Sequence, residues 1–203
     1  LKDTSFIYEL DNNHVVVWVP IELLFSEKKE DITNFSEYTE GWKQQNSQFE
    51  NIPIISFEPH RNLYLFFMQG IEYQFIYCEW IQRLYISRGM KSGYTDELLI
   101  EKRFREFEIM QHELNCGMDF FINHPAKAKW NSKGYFNLID GHHRTTFLYY
   151  SGITKIPVQI TRGDYESWCN VDVAKAVHKI IMEQKRTQFY QPILNPYFMN
   201  LHP

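Results

Sequence analysis

Asp140-Gly141-His142-His143-Arg144 places a carboxylate, two imidazoles and a guanidinium in consecutive residues around one glycine. These groups can hold an oxyanion and move a proton near neutral pH. A guanidinium forks two hydrogen bonds to a phosphate, an imidazole titrates in the physiological range, and a carboxylate accepts a proton or binds a cation. The pattern therefore points to phosphate handling or proton transfer. The plainer alternative is an Asp N-cap, a surface histidine and an arginine paired with a nearby carboxylate, a common set at helix starts.

The flanking residues say how such groups would be presented. Tyr135, Phe136, Leu138 and Ile139 read as a short buried strand that Asp140-Gly141 interrupts. From His143 the apolar residues Phe147, Leu148 and Tyr150 recur at helical spacing as far as Gly152, a residue suited to the left-handed position just past a helix end. The unit is strand, tight turn, helix. The first turn of a helix carries free N–H groups and the positive end of the macrodipole, so an anion over Gly141–Arg144 is favoured, and Gly141 lets the backbone approach it closely.

The run Ile139-Asp140-Gly141-His142-His143-Arg144, its helix, Gly152 and the strand Ile156–Ile160 resemble the ParB amino-terminal/sulfiredoxin superfamily over residues 93–165, about a third of the chain. Members place a strand, an Asp-Gly-His-His-Arg or Gly-Cys-His-Arg turn and a helix around bound nucleotide. The Asp-Gly-His-His-Arg form looks most like the free-serine kinases, which phosphorylate a small hydroxyl compound. The resemblance implies that Gly141, His142, His143, Arg144 and Thr145 hold ATP or ADP, that Asp140 contacts phosphate, metal or the acceptor hydroxyl, and that His143 shuttles a proton. In the resembled kinases a glutamate at the start of a helix some forty residues earlier is the base. The matching position is Glu97 in Asp96-Glu97-Leu98-Leu99, with Glu101 second, although a first-turn acid also suits the helix dipole. No transition-metal spacing is present, so the expected ion is Mg²⁺ bridging nucleotide phosphates, held by Asp140 and water.

Four readings compete. The first is a kinase acting on an amino acid, a sugar or another polyol. The second is a ParB-like nucleotide- or nucleic-acid-binding module; its DNA form is opposed by a net charge of −4, a pI of about 6.1 and the lack of a visible helix-turn-helix after the motif. Sulfiredoxin-like reduction needs a cysteine in the turn, where His142 stands. The fourth is a non-catalytic partner protein that keeps the turn as structure. The aromatic-rich first ninety residues and the Pro192–Pro196 tail have no counterpart in the resembled kinases. They suit an acceptor pocket for a sugar or glycan precursor, or plain core packing.

The remaining elements must position this turn. The chain of 203 residues, 17% of them aromatic, can bury a sizeable core. Strands are predicted at Ser5–Leu10 and His14–Val19 around the turn Asp11-Asn12-Asn13, an edge strand at Ile52–Phe57, and a turn at Glu58–Asn62. A helix with an aromatic core stripe is predicted at Ile71–Ile86, broken by Arg88–Gly93. A longer helix follows at Asp96–Asn115, capped by Thr95, with its charges Glu101–Glu106 in solvated pairs. Then come a strand at Phe120–Asn123, an irregular link at Ala126–Trp130, an irregular stretch at Arg162–Asp164, a helix at Asp172–Arg186 and a tail, 189–198, packed on the body. Residues 26–50 are a loop or solvated helix. His60, His112, His124 and His178 are isolated and read as structural or surface residues.

The expected fold is α+β, a ParB/sulfiredoxin-like small mixed sheet with packed helices. It divides into an N-terminal extension (1–92), a nucleotide-binding core (93–165) and a C-terminal helix with tail (166–203). Cys78, Cys116 and Cys169 are widely spaced with no C-x-x-C pair, which predicts reduced, buried thiols. Leu1–Ser5 lack the basic start of a signal peptide and Val15–Val19 is too short to span a bilayer, so the expectation is a cytoplasmic protein without a membrane span.

Overall fold

The structure, a computed structural model, describes residues 5–26, 51–70, 76–90 and 96–169. The expectations for residues 27–50, Thr95, the Asp172–Arg186 helix and the tail lie outside them.

The described residues form a mixed α+β fold around one six-stranded sheet in the order β1-β2-β6-β4-β5-β3. Its strands are β1 (Phe6–Glu9), β2 (His14–Pro20), β3 (Leu24–Ser26), β4 (Ala126–Asn131), β5 (Tyr135–Asp140) and β6 (Lys155–Thr161). The β-branched run of β2 suits an interior strand, and Val15, Val16, Val17 and Val19 are all fully buried. β2 runs antiparallel to β6 from His14↔Thr161 to Pro20↔Lys155, and β3 lies parallel to β5. The N-terminal strands therefore belong to the same sheet as the motif strand.

The helices are α1 (Glu58–Gln69), α2 (Ile76–Ser87), α3 (Asp96–Cys116), α4 (Asp119–Asn123), α5 (His142–Tyr150) and α6 (Arg162–Cys169). α1, α3 and α5 meet through aromatic rings. Tyr64 and Phe107 each lie within 6 Å of the Phe147 ring, at 5.8 and 5.9 Å between centroids. Trp80, Tyr64, Tyr77 and Phe57 are almost fully buried, so the aromatic stripes of the N-terminal region are core.

Several expectations need correction. Ile52–Phe57 is no edge strand. Pro53 makes one bridge to Phe25 and the chain then turns through a 3₁₀ segment, Ile54–Ser56, because proline offers no N–H to extend a ladder. Glu58–Asn62 is no turn but the start of α1, with Pro59 in its first turn, where its fixed φ and missing donor cost nothing. That helix stops at Gly70, at φ 59°; of the predicted Ile71–Ile86 helix the described residues Ile76–Ser87 are helical, and 71–75 lie outside them.

Phe120–Asn123 is helical rather than extended, since His124 N–H returns to the Phe120 carbonyl at 2.9 Å. The residues expected as an irregular link form β4 instead. Its Ala126-Lys127-Ala128-Lys129 alternates buried and exposed, and pairing with β5 and β6 overrides the weak strand preference of Ala and Lys. Arg162–Asp164 opens α6, with Asp164 N–H donating to Thr161 Oγ1 at 3.0 Å as an N-cap. Of the thiols, Cys78 is buried but Cys116 and Cys169 are exposed. No helix among the described residues is long and apolar enough to cross a membrane.

Candidate functional site

The motif turn sits where β5 ends. β4 runs antiparallel to β5, so the start of β4 lies beside that end, with Lys127 opposite Asp140. Leu138 is buried, whereas Ile139 and Asp140 are exposed. Gly141 then takes φ 91° and ψ 21° and serves as the N-cap of α5. A Cβ there would meet Ala126 Cβ at 2.9 Å, so sheet and helix start can approach this closely only with glycine.

Thr145 N–H makes the first intrahelical bond, to the Gly141 carbonyl at 2.8 Å, and Gly141 as N-cap makes no side-chain cap hydrogen bond. Asp140 Oδ1 instead accepts the Gly141 N–H at 2.8 Å. The result is an uncapped helix start facing a cleft of about 550 Å³.

One wall of that cleft is the turn itself, Ile139 to Arg144. The facing wall is one stripe of α3, in which Arg103, Glu106, Ile109 and Met110 recur at helical spacing, and Phe120 of α4 completes it. Arg144 sends a hydrogen bond from Nη1 to the His124 carbonyl, which anchors its guanidinium at the rim. Burial lowers the Arg144 pKa from the ordinary arginine value, opposed by the charge of Asp140. A partly desolvated cation of this kind attracts an anion more strongly than one in bulk water.

Behind the turn runs a chain of polar contacts. Glu106 Oε2 accepts from Arg103 Nη1 at 2.7 Å, Arg103 Nε donates to the Tyr77 hydroxyl at 2.9 Å, and that hydroxyl lies 2.8 Å from His143 Nε2. Burial pushes the Tyr77 phenol up to about 12, with the Arg103 charge working against it. Burial alone would lower the Arg103 pKa, yet Tyr77 and Glu106 leave it raised. His60 of α1, itself buried, packs its ring 4.6 Å from that of His143 and 6.0 Å from that of His142.

The structure thus brings Asp140, Gly141, His142, His143 and Arg144 to one cleft. Thr145 does not line it: its side chain is fully buried. Glu97 and Glu101 face a separate groove with Phe66 and Phe104. Glu97 precedes Glu106 by nine residues, about 13 Å along the helix axis. The glutamate in the cleft is Glu106.

Sequence reasoning missed His60, Tyr77, Arg103 and Glu106 as site residues. The only signal for the last two was that Arg103, Glu106 and Met110 share one helix face. His60 and Tyr77 carried none, because their approach depends on the packing of α1 and α2. No family model, curated protein or solved structure matches this chain. Among the described residues no group of three or more His, Cys, Asp or Glu could hold a metal ion. A magnesium ion bound chiefly by substrate phosphates and water needs only one or two carboxylates, which exposed Asp140 and half-buried Glu106 can supply.

Proposed function

We propose that the chain is a phosphotransferase that moves a phosphoryl group from ATP or ADP to the hydroxyl of a small acceptor such as an amino acid, a sugar or a polyol. The observation that carries this reading is the open cleft, which joins the uncapped start of α5 to two arginines and two carboxylates. The resemblance of Ile139–Arg144 to the ParB/sulfiredoxin superfamily, and to the free-serine kinases in particular, supports the same reading.

In it, the terminal phosphates lie over the amides of His142, His143 and Arg144, with the Arg144 guanidinium on their oxygens. Asp140 accepts the proton of the acceptor hydroxyl as its oxygen bonds to phosphorus, and the bond to the departing nucleotide oxygen breaks. The charge that grows on that oxygen is met by Arg144 and the helix start. Mg²⁺, when bound, neutralises phosphate charge, and Asp140 and Glu106 are the residues that would hold it.

The test is a nucleotide-binding titration followed by an acceptor screen. Arg144→Ala is expected to weaken binding by about 1.5–3 kcal/mol, the range for a charged hydrogen bond. Asp140→Ala is expected to lose about 10²–10⁴ in turnover, more than it loses in binding. Equal binding by wild type and Arg144→Ala would remove the role of Arg144. Nucleotide binding without turnover on any acceptor would reduce the protein to a nucleotide-binding module.

A further inference from the structure

We infer that Tyr77 is a positioning residue that locks His143 in the neutral tautomer with its proton on Nδ1, so that His143 serves the cleft as a hydrogen-bond donor and never as a base. The argument is one of donors and acceptors. A guanidinium has only donors, so in the 2.9 Å contact with Arg103 Nε the Tyr77 oxygen accepts. Its single proton is left for His143 Nε2 at 2.8 Å, and a nitrogen that accepts there carries no proton of its own.

The direction is fixed from behind, because Glu106 holds Arg103 at 2.7 Å and Tyr77 is 2% exposed, which keeps water from competing for its hydroxyl. The high phenol pKa keeps that hydroxyl protonated over the physiological range. His60 from α1 packs its ring, tilted by 54°, 4.6 Å from that of His143.

The consequence for catalysis rests on the phosphotransferase reading: His143 steadies a phosphate oxygen and leaves the proton to Asp140. The tautomer itself does not depend on that reading.

The experiment is long-range ¹H–¹⁵N correlation on the full chain labelled with ¹⁵N-histidine at neutral pH, with His143→Gln assigning the ring. Wild type should show His143 Nε2 as an unprotonated, accepting nitrogen. Tyr77→Phe keeps the ring that packs on Trp80 and should move that signal into the protonated range. Arg103→Gln, which leaves Tyr77 in place, should move it part-way. A protonated Nε2 in wild type, or an unchanged pattern in Tyr77→Phe, overturns the proposal. In the acceptor assay Tyr77→Phe should lower kcat about tenfold to a hundredfold with the nucleotide KM changed less than about threefold. Absence of turnover in every protein would defeat the phosphotransferase reading and leave the nitrogen shifts to decide the tautomer alone.

Discussion

Replacing Gly141 by alanine should destabilise the protein by about 3 kcal/mol, from two separable causes. Gly141 sits at φ 91° and ψ 21°, left-handed backbone in which an L side chain costs about 1–2 kcal/mol. The new Cβ would also lie 2.9 Å from Ala126 Cβ and 3.2 Å from Ala126 Cα. The second atom is backbone in a strand paired on both sides, so it cannot swing away, and overpacking of this kind costs about 1–3 kcal/mol. For a chain of this length that sum lowers Tm by about 6–12 °C. Thermal and urea unfolding would measure it.

Ala126→Gly divides the two causes. Alone it should cost about 0.5–1 kcal/mol, the usual loss for glycine in a strand. Combined with Gly141→Ala it removes the 2.9 Å contact with Cβ but leaves the 3.2 Å contact with Cα and the dihedral strain, so the double variant should exceed additivity by about 1 kcal/mol in its favour. Gly141→Ala within about 0.5 kcal/mol of wild type would refute the geometry of the turn. Strict additivity would refute the contact with β4 while leaving the backbone conformation intact.

The placement of the two glutamates gives a direct contrast. Glu106→Gln should reduce nucleotide turnover about tenfold or more, by loosening Arg103 and removing a carboxylate from the cleft, whereas Glu97→Gln should stay within about twofold; the reverse order in a steady-state assay would restore Glu97 as the base. Stability should also fall in alkali. The Tyr77 phenol is raised from 10.0 to about 12 and the Cys78 thiol from 9.0 to about 11, both chiefly by burial, so the folded state holds these protons more tightly than the unfolded chain. The stabilisation is therefore complete below pH 9 and declines as pH rises through the folded values, by about 3 kcal/mol for Tyr77 between pH 10 and 12. Urea midpoints across that range should show a shallower decline in Tyr77→Phe, and an unchanged slope would mean that the phenol is not the buried group described.

How much of this was legible in the sequence depended on whether the signal was local. The turn at Gly141 was, because a glycine between a strand and a helical repeat marks a break whatever surrounds it, and the Val-rich β2 was, because a β-branched run has few other uses. β4 was not. Its Ala and Lys residues have little strand preference, and only two neighbouring strands make it one. α4 was misread for the opposite reason: Phe120-Phe121-Ile122 is apolar enough for a strand, and five residues are too few to show a helical period. The site divides in the same way. Asp140 to Arg144 are contiguous, whereas Arg103 was read as one half of a solvated pair. That pair exists, but the Arg103 side chain is only 21% exposed and its Nε reaches a buried phenol, a contact no spacing along α3 could announce.

That buried contact also bears on whether the cleft is more than a by-product of packing. Glu106, Arg103, Tyr77 and His143 place a guanidinium, a phenol and an imidazole against an aromatic core that holds Phe57, Trp80 and Phe107. Desolvating such groups costs free energy that their hydrogen bonds only repay, and an apolar cluster of similar volume would hold these helices at least as firmly. Stability alone therefore gives no reason for this arrangement. What the chain of contacts does specify is the orientation and protonation of one imidazole beside an uncapped helix start, and an anion-handling site requires both.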